Sequence, residues 1–211
     1  DAQVEAPTAP ALRKYLKQFL WDPRVVELPR PLWWLVLNGI ILNTRPKKSS
    51  EKYAKIWMPE GSPLRVHTER QAKLLRGYLG QSGQGDIVIE WAMRYGQPSV
   101  ASALDRLKAQ GCTRIRILPL YPQYSVSTTA SAMDAVNEWA RRHPQAVEIG
   151  SIESFHDDPR YVSALAASIH AHRMDYGRPD KLVMSFHGLP KVSIERGAGE
   201  VDRDAGGEAP Y

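Results

Sequence analysis

The chain has 211 residues, 43% of them apolar and 24% charged, with a formal net charge of +5. That length and apolar share suit a globular core and exclude a chain disordered throughout. A single cysteine, Cys112, excludes an intramolecular disulfide and a cysteine-built metal or iron–sulfur cluster, and points to a reducing, cytoplasmic setting.

In chain order, the N-terminus carries neither a basic segment followed by an apolar one nor an apolar run of spanning length, so neither export nor a membrane span is expected. Residues 9–80 read as almost wholly helical, in segments 9–21, 31–43, 49–58 and 64–79. Linkers are expected at Trp21-Asp22-Pro23, Thr44-Arg45-Pro46 and Pro59-Glu60-Gly61-Ser62-Pro63. The segment 31–43 places Trp33 and Trp34 beside leucines, bracketed by Arg30 and Arg45. Such a run suits an interfacial membrane contact or the lip of an apolar pocket, and equally an ordinary buried helix. Charge here is lopsided: residues 13–76 hold fourteen Lys and Arg against five Asp and Glu. That field favours an anionic partner such as a carboxylate-bearing ligand or acidic lipid. Nucleic acid is not expected, because no helix-turn-helix, RNP or zinc-finger pattern accompanies the charge.

From about residue 86 the pattern alternates. Short β-branched and aliphatic runs predict strands over 87–93, 114–121, 147–152 and 182–186, and helical periodicity covers 98–110, 128–142 and 159–174. The last helix carries Val162, Leu165 and Ile169 on one stripe. Alternation of this kind marks βαβ crossovers, hence an α/β fold with a doubly wound parallel sheet and flanking helices. No opening strand is visible, since residues 1–7 are polar and interrupted by proline, and residues 198–211 read as a disordered acidic tail.

The carboxyl ends of strands face the ligand crevice in such sheets, so the residues there carry the chemical interest. The run Lys181-Leu182-Val183-Met184-Ser185-Phe186 stops at His187-Gly188-Leu189-Pro190, where Gly188 permits a turn and Pro190 cannot donate a ladder bond. A lone histidine is more often a cap or a core residue; the company His187 keeps favours a functional one. Met93-Arg94-Tyr95-Gly96 ends the first expected strand, and the loop Tyr121 to Thr129 follows the second. In that loop Ser127 or Thr128 can cap a helix, while Tyr121 and Tyr124 offer flat faces to a planar ligand. Ser62 precedes the helix over 64–79, as N-cap or ligand contact. A large, flat, partly anionic ligand suits this rim. His67, His143, His156, His170 and His172 read as structural or surface residues, and the last two, two apart on a helix, make a poor metal pair.

Together these motifs resemble the ferrochelatase family of lyases, which insert ferrous iron into a porphyrin. The resemblance rests on Ala9-Pro10-Ala11-Leu12-Arg13-Lys14-Tyr15-Leu16, Trp57 through Pro63-Leu64, Met93-Arg94-Tyr95-Gly96, Tyr121 to Thr129, and Ser185-Phe186-His187-Gly188-Leu189-Pro190. It covers roughly residues 7–197 and implies two similar doubly wound domains with porphyrin in the cleft between them. The first would be largely present here, as a helical porphyrin-lip segment (7–80) and a βαβ region (86–190), and the second mostly missing. The family implies His187 as iron ligand or acceptor of pyrrole protons. It implies Arg45, Ser62, Met93, Arg94, Tyr95, Tyr121 and Tyr124 around the porphyrin, and residues 31–43 as a lip facing porphyrin and membrane. Fe(II) would enter as substrate, with no tightly bound cofactor and no iron–sulfur cluster. The protein would be cytoplasmic and associate with the membrane through that lip. Two departures matter: the family's opening strand with its Leu-Gly-Thr-Pro-like turn is lacking, and so is the acidic residue opposite the histidine, expected beyond residue 197. The chain alone is therefore expected to be a weak or inactive chelatase, the alternative being a porphyrin- or haem-binding module without metallation. An unrelated nucleotide enzyme is disfavoured by the lack of GxGxxG or a P-loop.

Overall fold

Helix α1 (Ala9–Trp21) has Pro10 in its first turn, where a missing N–H costs nothing, and buries Leu12, Tyr15, Leu16 and Leu20 at three- and four-residue spacing. These side chains form a core with Val4, Trp33, Leu37, Leu42 and Tyr95, in which Leu12 is fully buried and contributes about 2 kcal/mol. The computed structural model describes residues 4–144, 147–189, 191 and 194. Pro190 and the expected tail over 198–211 lie outside them.

A second helical stretch runs through α2 (Arg30–Val36), a π turn over Leu37–Ile41, and α3 (Leu42–Ala54). The break expected at Thr44-Arg45-Pro46 is not there. Pro46 has no N–H, so the Leu42 carbonyl loses its helical donor, and Arg13 of α1 supplies one: its Nη1 donates to Leu42 O and, at 2.8 Å, to Asn43 Oδ1. Asn43 Nδ2 in turn donates to the Asn38 and Gly39 carbonyls at 3.0 and 2.8 Å, and Thr44 Oγ1 to Ile40 O at 2.9 Å. The Arg13 side chain thus replaces the backbone bond that the proline removes, and the helix continues. Its two tryptophans part company: Trp33 is 7% exposed and donates Nε1–H to Leu20 O at 2.7 Å, whereas Trp34 is 54% exposed beside exposed Leu32, Leu35 and Ile40. The segment thus has one face buried in the core and an apolar face left exposed.

Helix α4 (Pro63–Gln81) starts with Pro63 at N1 and buries Val66 and Ala72. Ser99 caps α5 (Val100–Ala109) by accepting from Ser102 N at 3.2 Å. Strand β1 (Arg114–Ile117), helix α6 (Ser131–Arg142, preceded by a π turn over Val126–Ala130), strand β2 (Glu148–Ser151) and helix α7 (Pro159–Tyr176) follow. Helices α5 and α6 pack together, burying Leu104 and Val136, with Trp139 Nε1 donating to Asp105 at 2.7 Å. Glu148 N donates to Thr113 O at 2.8 Å and Ile152 N to Ile117 O at 3.0 Å; the equal sequence offset makes β1 and β2 parallel. The fold is thus mixed α/β, with parallel strands and flanking helices.

Two expected strands do not form. Segment 87–93 forms no ladder beyond an isolated bridge at Met93, whose N–H donates to Pro98 O at 2.8 Å. Residues 182–186 form no regular element and are exposed, Phe186 by 79%. A strand exists only by pairing, and the sheet among the described residues contains β1 and β2 alone, so neither segment finds a ladder. Strand β1 ends at Ile117, short of residue 121, because Pro119 and Pro122 have no N–H to donate. The stripe Val162, Leu165 and Ile169 of α7 is exposed, and that helix buries none of its residues.

The chain divides into two units, residues 1–115 with 131–149, and residues 116–130 with 150–211. The first holds the core just described. The second holds the tyrosine loop, α7 and the segment ending at His187.

Candidate functional site

Within the first unit, the chain after segment 87–93 brings Arg94 and Tyr95, next to Met93, against Asp22 at the C-terminus of α1. Met93 and Tyr95 are buried and Arg94 half-buried between them. The Tyr95 ring belongs to the core, edge-on to Phe19 at 5.4 Å and to Tyr15 at 6.4 Å between centroids. Its hydroxyl donates to Asp22 Oδ2 at 2.7 Å. Arg94 donates Nη2–H to the same oxygen and Nε–H to Ser131 Oγ, both at 2.8 Å, and its guanidinium lies 4.7 Å from the Tyr95 ring centroid. Ser131 Oγ donates its one proton to Asp22 Oδ2. Arg24 N donates to Asp22 Oδ1 at 2.8 Å. Ser131 therefore accepts from Arg94 while donating to Asp22, and Asp22, 5% exposed, collects four donors.

Burial alone would raise the Asp22 pKa. The hydrogen bonds from Ser131, Tyr95 and Arg24 N–H, with the Arg94 charge, overcome it and hold the carboxyl below its ordinary range. For Tyr95, burial and the neighbouring Asp22 carboxylate push the phenol well above its ordinary value, against the Ser131 hydrogen bond and Arg94, so it stays a proton donor. Beside this cluster Arg24 grips Asp134 of α6 through Nε and Nη2, at 2.9 and 3.2 Å.

Of the other expected residues in this unit, Ser62 occupies the N-cap position of α4 and is almost wholly buried, without a side-chain capping bond to the helix. Arg45 is exposed on α3, near enough to Tyr53 for its charge to oppose the rise that burial gives that phenol.

In the second unit, Tyr121 is exposed and Tyr124 half-buried on the loop entering the Val126–Ala130 π turn, and Phe155 N donates to Pro122 O at 2.9 Å. Thr129 is fully buried, and its Oγ1 has no hydrogen-bond partner among the described residues. His187 is exposed. Among the described residues no group of three or more His, Cys, Asp or Glu side chains is arranged to hold a metal ion, and no helix is long and apolar enough to cross a membrane. His143 stacks on Trp139 at 4.4 Å and His172 on Tyr176 at 4.5 Å, as structural residues would.

The structure thus brings Arg94 and Tyr95 into one cluster with two residues that sequence reasoning missed. Asp22 read as part of a linker, and Ser131 as an ordinary helical position. One signal was available: a carboxylate at a helix C-terminus opposes the helix dipole, so an Asp there needs donors from elsewhere.

A family-wide sequence description named Ferrochelatase matches residues 5–208. Among curated proteins, the ferrochelatase of Aromatoleum aromaticum is 60% identical over 192 residues, covering 91% of this chain and 53% of that protein. The ferrochelatase of a Polaromonas species is 58% identical, covering 92% and 52%, and that of Nitrosomonas europaea is 51% identical, covering 92% and 53%. The chain spans about half the length of the curated relatives it matches.

Proposed function

The chain belongs to the ferrochelatase family, and from that membership we propose that it takes part in haem biosynthesis by binding a porphyrin for insertion of ferrous iron. Fe(II) is the substrate metal, and its entry into the macrocycle displaces two pyrrole N–H protons. His187 either ligates the incoming ion or accepts one of those protons at a time and passes it to water, since a neutral imidazole has one free lone pair, titrates near neutral pH and binds first-row divalent metals. The residues proposed to meet the porphyrin are Arg45, Ser62, Met93, Arg94 and Tyr95 in the first unit and Tyr121 and Tyr124 in the second. Tyr121 and Tyr124 supply flat faces and the arginines offset the charge of its carboxylates. Binding energy from the ring periphery is then available to strain the macrocycle and open its nitrogens to the metal.

The observation that carries this reading is the family match across residues 5–208, which spans every motif named above. The exposed apolar face of Leu32, Trp34, Leu35 and Ile40, with Arg30 and Arg45 nearby, supports a peripheral membrane contact for the same lip.

A second reading is a porphyrin-binding module with weak or no metallation. Porphyrin titration followed in the Soret band, then addition of Fe(II) or Zn(II), separates the two when the chain is compared with His187→Ala. Binding with metallation that falls at least about a hundredfold in the variant supports the chelatase reading for this chain. Binding without metallation in either protein supports the module, and absence of binding refutes both.

A further inference from the structure

The Asp22 carboxylate touches no surface that a ligand could reach, yet it gathers three side chains, two of which the functional reading places at the porphyrin. Its position is unfavourable twice over. Burial penalises the charge, and the C-terminal end of α1 presents carbonyl oxygens to it. A leucine there would pack without either penalty. The donor arrangement leaves no slack: Arg94 Nη2–H, Tyr95 O–H and Ser131 Oγ–H converge on Oδ2, while Arg24 N–H holds Oδ1. Arg94 is thereby bound by Nη2 and Nε at once, to Asp22 and to Ser131, which fixes the plane of its guanidinium and leaves Nη1 to point elsewhere. Tyr95 is turned the other way, its hydroxyl inward and its ring beneath the guanidinium, so it supports Arg94.

We propose that Asp22 is a positioning residue: with Tyr95 and Ser131 it locks the Arg94 guanidinium in the one orientation that presents its remaining N–H groups to a carboxylate of the porphyrin. The proposal rests on the porphyrin-binding reading for the identity of the ligand and on the hydrogen-bond geometry for the lock. Asp22→Asn keeps the shape but removes the charge and one acceptor site.

The lock and the ligand are tested separately on the full chain. By NMR, the Arg94 Nε–H, assigned by its loss in Arg94→Gln, is expected to be protected from exchange. It should exchange about tenfold faster in Asp22→Asn, while the Arg24 Nε–H, bonded to Asp134, changes less than about twofold. By Soret titration with protoporphyrin, Asp22→Asn is expected to weaken binding about tenfold, and the double variant Asp22→Asn/Arg94→Gln to bind no more weakly than Arg94→Gln alone. An unprotected Arg94 Nε–H, or an Arg24 signal that loosens in step with it, overturns the lock whatever the porphyrin does. Additive losses in the double variant overturn the claim that Asp22 acts through Arg94. Loss of porphyrin binding by the unaltered chain, with the Arg94 signal behaving as expected, refutes the porphyrin reading and leaves the lock standing.

Discussion

Asp22 ties the stability of the first unit to pH. Its folded-state pKa lies below the ordinary carboxylate value, so its contribution is present above the unfolded-state pKa of about 3.9 and is lost as pH falls through the folded value. Urea midpoints measured between pH 7 and pH 3 are expected to stay flat to about pH 4 and then fall. Asp22→Asn lowers the midpoint at pH 6, and the gap to the unaltered chain narrows towards pH 3; a gap that stays constant would mean the charge is not what stabilises the cluster. Asp22→Ala, which leaves Arg94 half-buried without its partner, costs about 3 kcal/mol. Arg94 and Tyr95 were legible in the sequence because they end a strand-like run at a glycine. Asp22 and Ser131 were not, because their role comes from partners distant in the chain, and neither residue type is unusual at its own position.

Helix boundaries were legible wherever the local backbone decided them. The segment 9–21 stands as expected, since a proline opens it and apolar spacing sustains it. Thr44-Arg45-Pro46 misled for the opposite reason: proline is a local breaker, and the donor that rescues the helix sits on α1. That account predicts a coupling. Arg13→Met removes the substitute donor to Leu42 O and costs about 1 kcal/mol in urea denaturation. In a Pro46→Ala background, where residue 46 supplies its own N–H to Leu42 O, the same change costs about half as much or less. Equal costs in the two backgrounds would show that Arg13 acts only through Asn43. Because Arg45 rides on this helix, the same clip sets where its charge is displayed. The proline-bounded end of β1 belongs with these cases, as the four expected residues 118–121 lie between Ile117 and Pro122 and include Pro119, which has no N–H to donate.

The two units differ in how much apolar surface they bury, and that difference has measurable consequences. Leu12 lies in a cluster of nine buried residues, and Leu12→Ala is expected to cost about 3 kcal/mol. Leu165 lies on a helix with no buried residue, and Leu165→Gln is expected to change stability by less than about 0.5 kcal/mol. The periodicity of α7 correctly announced a helix with an apolar stripe. It could not say whether anything covers that stripe, because covering depends on what packs there and not on spacing. The segment 182–186 presents the same case as a strand: its apolar residues are legible, its pairing is not, since the partner of a ladder is never written in the strand itself. Native-state hydrogen exchange reads both together. The amides of α1 should open only with the whole unit, whereas those of α7 should exchange near the rate of an isolated helix of its length, which is marginal in water. Slow exchange in α7 that persists on dilution would mean the stripe is covered within one chain, contrary to its exposure. Slow exchange that disappears on dilution would mean that a second copy covers it.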